Sequence, residues 1–318
     1  MVLTDTPPTT PDISVIVCTH NPRPAVFAQV LDALRDQTLP QPRWELILVD
    51  NNSEPPLAAE AVDAGRGLPI RLHREPRQGL GIARRAGVLE ARGGILVLVD
   101  DDNVLDAAYL ERALAIAQAE PGLGAFGGIA RARTDVLVAG WRRRLLPFLG
   151  VRDHGPRPIT SRENAWGPWE PIGAGMVLRR SVGLEFVRLV ESVPEALELD
   201  RAGRAMLSGG DSLIARLSYR LGLSCSYQPS LAFDHVIPRS RLGVRYLSRL
   251  MYGHGRSVVK LNRVLGLPTS RLDPLRLAWR LLRRIFHEGA GGPLWWCWDL
   301  GYFVEYWRGR SPRVPAQT

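Results

Sequence analysis

The stretch 95–103 (ILVLVDDDN) is the feature that most constrains the fold of this chain. Its five consecutive apolar residues predict a strand buried on both faces, and such strands belong to parallel sheets covered by helices. Three aspartates follow directly, at the strand end where open α/β sheets bind ligands. Carboxylates this close together repel one another unless a positive group joins them, so we expect a hard divalent cation with phosphates there. A polar turn in which Asp106 caps the next helix would account for only one acid.

The chain before this stretch alternates strands with helices. Apolar runs predict strands at 13–18, 45–49 and 70–73. Helices are predicted after each of them, at 24–38, 57–64 and 80–92. Four strands that alternate with helices predict an α/β fold with a doubly wound, mainly parallel sheet.

The polar residues at the ends of these strands predict a nucleotide site. They offer hydrogen-bonding groups for a base and ribose, a cation for phosphate and acids for a metal, which suits a nucleotide diphosphate. Each residue alone is better explained as a turn former, so the signal is their joint placement. The residues concerned are Thr19, Asn21, Asp50, Asn52, Arg77, Asp100, Asp101, Asp102 and Asn103.

The second half of the chain is less regular. A helix is predicted at 106–120, strands at 123–131 and 171–179, and a long surface loop at 153–170. The small residues in the second of these strands would let the backbone approach a ligand closely.

Two later features depend on their context. A glycine-rich turn at 208–212 precedes a helix predicted at 213–221, and Asp211 or Ser212 would simply cap that helix if the motif stood alone. Short strands are predicted at 223–227 and 231–233, and His235 follows the second. A single histidine is more often structural than a ligand.

Motif searches disfavour two nucleotide-binding classes and leave one rival. The G-x-G-x-x motif that begins at Gly79 has Arg84 where a dinucleotide fold needs a small residue, and no G-K-[ST] of a P-loop occurs. Asp100, Asp102 and Val104 match the D-x-D-x-V pattern of haloacid-dehalogenase-like phosphatases. That pattern usually ends a first strand and has a supporting lysine, whereas here it ends the fourth strand.

Taken together, these motifs resemble those of a family 2 glycosyltransferase of GT-A fold over about 13–239. The segments ISVIVCTHNP, LILVDNNS, GLGIARRAG and LVLVDDDN follow one another in that family's order. The resemblance implies a GT-A type sheet with a C-terminal helical appendage, and an inverting sugar transfer from a nucleotide-diphosphate donor.

The resemblance also implies roles for individual residues. Thr19 and Asp50 would contact the nucleobase and ribose, with Asn21, Asn52, Arg77, Arg84 and Asp101 also on the donor side. Asp100 and Asp102 would form the DxD motif that binds Mg²⁺ or Mn²⁺, and His235 would complete the metal site. Gly173, Ala174 and Gly175 would form the loop beside the donor sugar and acceptor. Asp211 would be the catalytic base, and Gly210 departs from the family pattern because many relatives carry Glu there.

Trp166 and Trp169 precede the glycine loop. Stacking on an acceptor sugar and anchoring of the loop are equally consistent with their positions.

Composition predicts a cytoplasmic protein divided into three regions. Residues 1–12 are polar and proline-rich without a secretory signal pattern, and no apolar run approaches the roughly 20 residues of a membrane-spanning helix. Three widely spaced cysteines predict reduced thiols. The predicted regions are a flexible leader at 1–12, the nucleotide-sugar domain at 13–238 and a basic, aromatic-rich helical region at 239–318.

Most of the excess positive charge lies in the third region. Its segment 239–284 has twelve Arg or Lys and one acid, which is a net charge of +11. Since the whole chain has a net charge of +9, the rest of the chain carries −2. Arginines at helical spacing oppose Leu275, Trp279, Leu282, Ile285 and Phe286, a pattern typical of helices on anionic membranes. Residues 293–307 add seven aromatics. Packing of this region on the catalytic domain is an equally good interpretation, and no nucleic-acid-reading module is visible.

We therefore expect a metal-dependent inverting glycosyltransferase that extends a glycan or lipid-linked acceptor in cell-surface polysaccharide synthesis, at the inner face of the cell membrane. A phosphatase that uses Asp100 and Asp102, and a non-catalytic sugar-nucleotide or membrane-binding protein, are the alternatives.

Overall fold

The four predicted N-terminal strands form the parallel half of a mixed sheet. The computed structural model describes residues 10–201, 203, 206–287 and 292–309, so most of the predicted leader lies outside the described residues. The strands lie side by side in the order β3-β2-β1-β4, and all three pairs are parallel. Their bounds are β1 (Ile13–Thr19), β2 (Trp44–Asp50), β3 (Ile70–Arg74) and β4 (Ile95–Asp100). Because β1, β2 and β4 are buried along almost their whole length, the prediction of strands covered on both faces is confirmed.

The second half of the sheet contains shorter and antiparallel connections. From β4 the order continues β8-β6-β9-β5, with β7 on β9, and β8 runs antiparallel to β4. The bounds are β5 (Asn103–Leu105), β6 (Leu123–Arg133), β7 (Ile159–Ser161), β8 (Met176–Arg179) and β9 (Ser224–Val236).

Three predictions for this half are wrong in detail. The two short strands at 223–227 and 231–233 are one strand, β9, which continues through His235 because its pairing with β6 tolerates a register shift. The strand predicted at 171–179 is confined to β8, since residues 171–175 form a turn with Gly175 at φ +67°. The long loop at 153–170 contains the strand β7.

Helices cover the sheet on both faces. One hydrophobic core contains Leu31 of α1 and Tyr109 of α4, and the other contains Ala83 of α3, Phe186 of α5 and Leu213 of α6. The bounds are α1 (Pro24–Arg35), α2 (Ala59–Asp63), α3 (Leu80–Glu90), α4 (Tyr109–Ala119), α5 (Arg180–Ser192) and α6 (Gly210–Arg220). Turns of 3-10 helix lie at Gln41–Arg43, Gly140–Leu149, Pro194–Leu199 and Arg239–Leu242.

The C-terminal region consists of α7 (Val244–Leu265), α8 (Pro274–His287) and α9 (Gly292–Arg308). Leu261 and Val264 of α7 belong to the same core as α3, α5 and α6, so packing continues beyond Pro238. Helices α7 and α9 cross in close contact at glycines, because a Cβ at Gly255 would lie 2.1 Å from the Trp298 carbonyl oxygen. The division of the chain at residue 238 stays a prediction.

Buried acids of α9 neutralise several of the arginines in this region. Asp299 is fully buried and accepts hydrogen bonds from Arg280 and Arg284 of α8. Glu305 pairs with Arg256 and Arg263 of α7. Much of the positive charge read from the sequence therefore holds the helices together. Within the described ranges, none of the helices combines the length and apolar character that crossing a membrane requires.

Candidate active site

A cavity of about 1510 Å³ opens at the carboxyl ends of β1 and β4. The aspartate turn 100–102 and Asp211, at the start of α6, both line it. His254 of α7 and Trp298 of α9 also line it, so the C-terminal helices help to enclose the site. A single cavity thus brings together the two acidic motifs, which are more than one hundred residues apart in the chain.

The three aspartates occupy different environments in the turn between β4 and β5. Thr19, at the end of the neighbouring strand β1, donates a hydrogen bond from Oγ1 to Asp101 Oδ2 at 2.5 Å. The pKa of Asp101 is raised to about 6, mainly by burial and also by Asp102 and Asp100, against the opposing hydrogen bond from Thr19. Burial also raises the pKa of Asp100, although Arg84 opposes this. Burial is thus the main cause of both raised pKa values, and the neighbouring carboxylates of the turn add to it.

Asp102 differs because cations surround it. Arg241 Nη1 donates to Asp102 Oδ2 at 2.9 Å, and Arg23 Nη2 lies 3.9 Å from the same oxygen. His235 Nε2 lies 3.5 Å from Asp102 Oδ1, because β5 and β9 pair in a register that places Asn103 opposite His235. Burial works against ionisation of Asp102, but His235 and Arg241 outweigh it and lower the pKa of Asp102 well below its usual range.

The residues at this turn suit a hard divalent cation in their chemistry. Asp100 and Asp102 supply carboxylate oxygens, and His235 Nε2, the ring nitrogen that faces Asp102, supplies a nitrogen donor beside them. As the side chains stand, no group of three or more His, Cys, Asp or Glu in the described ranges is spaced to hold a metal ion. Arg241 contacts both Asp102 and His235, so its guanidinium supplies positive charge at this position.

Asp211 lies in the first turn of α6, and its carboxylate points to other elements. Its Oδ1 accepts a hydrogen bond from Arg84 Nη1 at 2.6 Å, and its Oδ2 accepts one from the Gly173 N–H at 2.8 Å. The residue before the helix is Gly209, without a side-chain cap. The alternative that Asp211 merely caps the helix is therefore wrong. Burial opposes the ionised form, but Arg84 and the Gly173 N–H outweigh it and lower the pKa of Asp211.

Arg84 connects the two acidic motifs. Its side chain is 3% exposed, and its guanidinium lies 2.6 Å from Asp211, 3.4 Å from Asp200 and 3.8 Å from Asp100. The arginine that argued against a dinucleotide fold is thus the central cation of the site.

The glycine loop 173–175 approaches this cluster more closely than other residues could. A Cβ at position 173 would lie 2.3 Å from both Arg84 Nη2 and Asp211 Oδ1. Gly175 has φ +67°, and its carbonyl accepts a hydrogen bond from the buried Tyr109 hydroxyl. Ala174 lies between them and lines the cavity. The small residues are therefore required by close packing.

The remaining predicted donor residues make contacts within their loops. Asp50 is buried and accepts hydrogen bonds from the N–H groups of Ser53 and Leu57. Burial opposes ionisation of Asp50, but these bonds outweigh it and lower its pKa. Asn21 Oδ1 accepts from the Glu54 N–H. The described residues that line the cavity include neither Asp50 nor Asn21, nor the residues whose backbone N–H groups donate to their side chains.

Asn52 and Arg77 also lie outside the lining of the cavity. Asn52 is exposed and has φ +63°, and Arg77 pairs with Glu75 while its side chain is 65% exposed. Their donor-binding roles stay predictions.

Sequence reasoning missed Asn51, which lines the cavity instead of its neighbour Asn52. Asn51 Nδ2 donates to the Arg77 carbonyl at 2.7 Å, and Oδ1 accepts from the Gly79 N–H at 2.7 Å. The sequence of β2 does not distinguish the two asparagines, because both lie beyond its end and all of its residues are buried. Arg241 and Asp200 were also missed, and no local pattern marks either of them.

The two tryptophans of the long loop have different surroundings. Trp169 packs against the core and covers Gly167, so it anchors the loop. Trp166 is 62% exposed and lines the cavity. Trp169 therefore anchors the loop, whereas stacking of Trp166 on an acceptor sugar stays a prediction.

An aromatic wall formed by Phe148, His254, Trp295 and Trp298 faces the cavity from the C-terminal side. The Phe148 ring lies edge-on to His254 at 5.3 Å and to Trp298 at 5.6 Å, and the His254 and Trp298 rings are nearly parallel at 6.0 Å. Burial lowers the pKa of His254 to about 4, so this wall is uncharged at neutral pH.

Comparisons with known proteins agree with this geometry. A family model described as Glycosyl transferase family 2 matches residues 14–183. An uncharacterized glycosyltransferase of Mycobacterium tuberculosis is 31% identical over 196 residues, which cover 55% of this chain and 84% of that protein. The glycosyltransferase AglE of Haloferax volcanii is 32% identical over 107 residues, covering 33% of this chain and 34% of that protein.

Two solved structures share the fold. A mannosyltransferase from Pyrobaculum calidifontis, in complex with GDP-Man and Mn²⁺, has a TM-score of 0.54 at 20% identity and covers 93% of this chain and 74% of its own. S. aureus TarS 1-349 has a TM-score of 0.50 at 13% identity and covers 95% and 93%. The predicted GT-A type fold is confirmed.

Proposed function

This chain belongs to glycosyltransferase family 2, and on that premise we propose that it transfers a sugar, with inversion, from a nucleotide-diphosphate donor to a glycan or lipid-linked acceptor. The observation that carries the proposal is the shared cavity, which both the aspartate turn and Asp211 line. Family membership excludes the phosphatase alternative, and it identifies the chain as an enzyme and not merely a binding protein.

The donor side of the cavity is the end that contains Thr19, Asn51 and the aspartate turn. Thr19 orients Asp101 through a short hydrogen bond, and Asn51 holds the backbone at Arg77 and Gly79 in place. Both arrangements support a preformed pocket for the polar parts of a nucleotide.

Asp100, Asp102 and His235 would hold Mg²⁺ or Mn²⁺ beside the donor diphosphate. The neighbouring carboxylates of the turn and His235 Nε2, which lies 3.5 Å from Asp102 Oδ1, support this, and the Pyrobaculum mannosyltransferase is complexed with Mn²⁺. Such a cation supplies charge neutralisation for the departing diphosphate. Arg241 must leave Asp102 before a cation can bind there.

Asp211 is the base in this proposal. Its oxygens are fixed by Arg84 and Gly173, which keeps the carboxylate ionised and oriented. As the acceptor hydroxyl oxygen forms a bond to the anomeric carbon, the bond from that carbon to the diphosphate breaks and the hydroxyl proton passes to Asp211. The donor departs as a nucleoside diphosphate, and the configuration at the anomeric carbon inverts.

The acceptor side is the end enclosed by the aromatic wall and Trp166. Uncharged aromatic faces stack on sugar rings and also accommodate apolar chains. This supports a glycan or lipid-linked acceptor, as in the synthesis of cell-surface polysaccharide.

Helix α8 presents a surface that suits an anionic membrane. Leu275, Trp279 and Leu282 share one face and are 83%, 60% and 59% exposed. Arg276 is also exposed, and the Arg283 guanidinium lies 5.4 Å above the Trp279 ring. Exposed apolar and cationic side chains on one helix support peripheral attachment at the cytoplasmic membrane face.

Product analysis tests the activity. A thermal-shift screen of UDP and GDP sugars with Mn²⁺ first identifies the donor, since a ligand that binds only the folded state raises the melting temperature. Calorimetry with UDP or GDP should then show binding that is lost in EDTA. Equal affinity with and without EDTA would refute the metal role. A covalent phosphoryl intermediate on Asp100 would refute the transferase assignment.

Sedimentation with anionic liposomes tests the membrane proposal. The full chain should bind vesicles at low salt and be released at high salt, because surface attraction falls off within a Debye length. Replacement of Leu275, Trp279 and Leu282 by Ser should abolish binding. Leu137→Ser is the matched control, because Leu137 is 90% exposed and lies outside α8. Binding that persists in the triple variant would contradict a role for this face.

A further inference from the structure

Asp200 is a buried carboxylate beside the base that the mechanism above does not use. It follows the 3-10 turn Pro194–Leu199, is 5% exposed and lines the same cavity as Asp211. Both aspartates contact one guanidinium, with Arg84 Nη1 2.6 Å from Asp211 and 3.4 Å from Asp200. The two carboxylates therefore lie on the same side of the cavity, although eleven positions separate them in the chain.

Two glycines make room for the Asp200 carboxylate. A Cβ at Gly210 would lie 2.1 Å from Asp200 Oδ2 and 2.3 Å from its Cγ, and a Cβ at Gly81 would lie 3.4 Å from Oδ2. The carboxylate thus fills the space that a side chain at position 210, directly before Asp211, would occupy. Only glycine at position 210 is compatible with this placement.

The Asp200 carboxylate has few hydrogen-bond partners. Among the described residues, the one hydrogen bond to it is the 3.4 Å contact from Arg84. The pKa of Asp200 is raised to about 6, mainly by burial and also by Asp211 and Asp100, against the opposing effect of Arg84. Buried carboxylates are normally well hydrogen-bonded, so this one has acceptor capacity left for a ligand.

We propose that Asp200 binds a second hydroxyl of the acceptor, adjacent to the one that Asp211 deprotonates. The inference rests on the proposed function and adds a substrate class, namely a carbohydrate acceptor with neighbouring hydroxyl groups. One hydroxyl donates to Asp211 and attacks, while its neighbour donates to Asp200 and fixes the orientation of the ring. Asp200 touches the substrate but takes no proton in the reaction.

The test compares Asp200→Asn with the wild-type full chain, using the donor found in the nucleotide-sugar screen. Methyl pyranosides and their monodeoxy analogues serve as acceptor probes, and transfer to water is measured in parallel. A hydrogen bond to a charged group typically changes an equilibrium about 10- to 100-fold. The wild type should therefore prefer the intact acceptor over the analogue that lacks the neighbouring hydroxyl by about that factor in kcat/KM.

The Asp200→Asn variant should lose this discrimination, mainly through a higher acceptor KM. It should keep donor affinity, because the donor side of the cavity lies at Thr19 and Asn51. Glu198→Gln is the matched control, since Glu198 is nearby in the chain but its side chain is 65% exposed. Discrimination that persists in Asp200→Asn would overturn the inference, as would equal losses with intact and deoxy acceptors. A purely structural partner of Arg84 would produce those equal losses.

A transposed carboxylate provides the second test. In the double variant Asp200→Gly with Gly210→Asp, the acid returns to nearly the same space from the other chain segment, and discrimination should partly recover. Failure to recover in a variant with the wild-type melting temperature would contradict the proposal. If the wild type transfers no sugar from any nucleotide sugar to either water or a glycoside, the proposed function itself fails.

Discussion

Replacement of Arg241 by Gln should strengthen metal binding in the absence of nucleotide. Arg241 Nη1 donates to Asp102 Oδ2 at 2.9 Å, with the Asp102 side chain 7% and the Arg241 side chain 26% exposed. A cation that binds Asp102 must break this ion pair. In the variant that competition is absent, and the turn also carries one more uncompensated negative charge.

The magnitude follows from the geometry of the pair. At 2.9 Å and an effective dielectric constant of about 20, the Coulomb attraction is about 6 kcal/mol before desolvation is subtracted. Hydrogen bonds to charged groups contribute roughly 1.5–3 kcal/mol net. The Kd for Mn²⁺ should therefore fall about 10- to 100-fold, at 1.4 kcal/mol for each factor of ten.

Calorimetric titration of the full chain with Mn²⁺ measures this effect directly, without any assay of transfer. Arg239→Gln is the matched control, because it removes the same charge from the same 3-10 turn at an exposed position. An unchanged or weaker affinity in Arg241→Gln, at an unchanged melting temperature, would refute the idea that Arg241 competes with the metal. An equal gain in Mn²⁺ affinity in Arg239→Gln would show that the effect comes from net charge alone.

Three further outcomes are expected. Asp211→Asn keeps the shape of the side chain but cannot take the proton, so kcat should fall ~10²–10⁴-fold while donor affinity and melting temperature change little. Transfer near the wild-type rate would refute the assignment of Asp211 as the base, and unfolding of the variant would favour a structural role. Gly173→Ala should lower both kcat and the free energy of unfolding, because its Cβ would lie 2.3 Å from Asp211 and Arg84. Transfer at the wild-type rate in that variant would contradict the close approach. Arg216→Met should lower the free energy of unfolding by about 3–5 kcal/mol in urea melts, because it leaves the buried Glu170 without its partner at 2.7 Å. The double variant Arg216→Met with Glu170→Leu should recover much of this loss.

The parallel half of the fold was predictable from the sequence alone. Three of its four strands are local runs of mostly apolar residues, the third strand alternates apolar and polar residues, and helices with their own periodicity follow along the chain. Because right-handed parallel connections leave few arrangements, these local signals also placed the strand ends at one edge of the sheet. The aspartate turn was recognisable for the same reason, since its three acids are consecutive.

The antiparallel half was less predictable because its pairing is between distant segments. β9 is continuous across Pro229 because it pairs with β5, β6 and β7, whereas its own sequence indicates two short strands. The glycine loop 173–175 was predicted to be strand, yet its shape depends on the approach of Arg84 and Asp211.

The sequence by itself determined the parallel half of the sheet and the acidic turn, because these signals are short-range and periodic, whereas Asp211 was singled out only through the family resemblance. Only the tertiary structure decided which charges meet. Arg84 joins Asp100, Asp200 and Asp211, and Arg241 lies against Asp102, although these residues are far apart in the chain. Whether a carboxylate is paired, buried or available to a ligand depends on three-dimensional distance and on exclusion of water, and neither quantity is encoded in local sequence pattern.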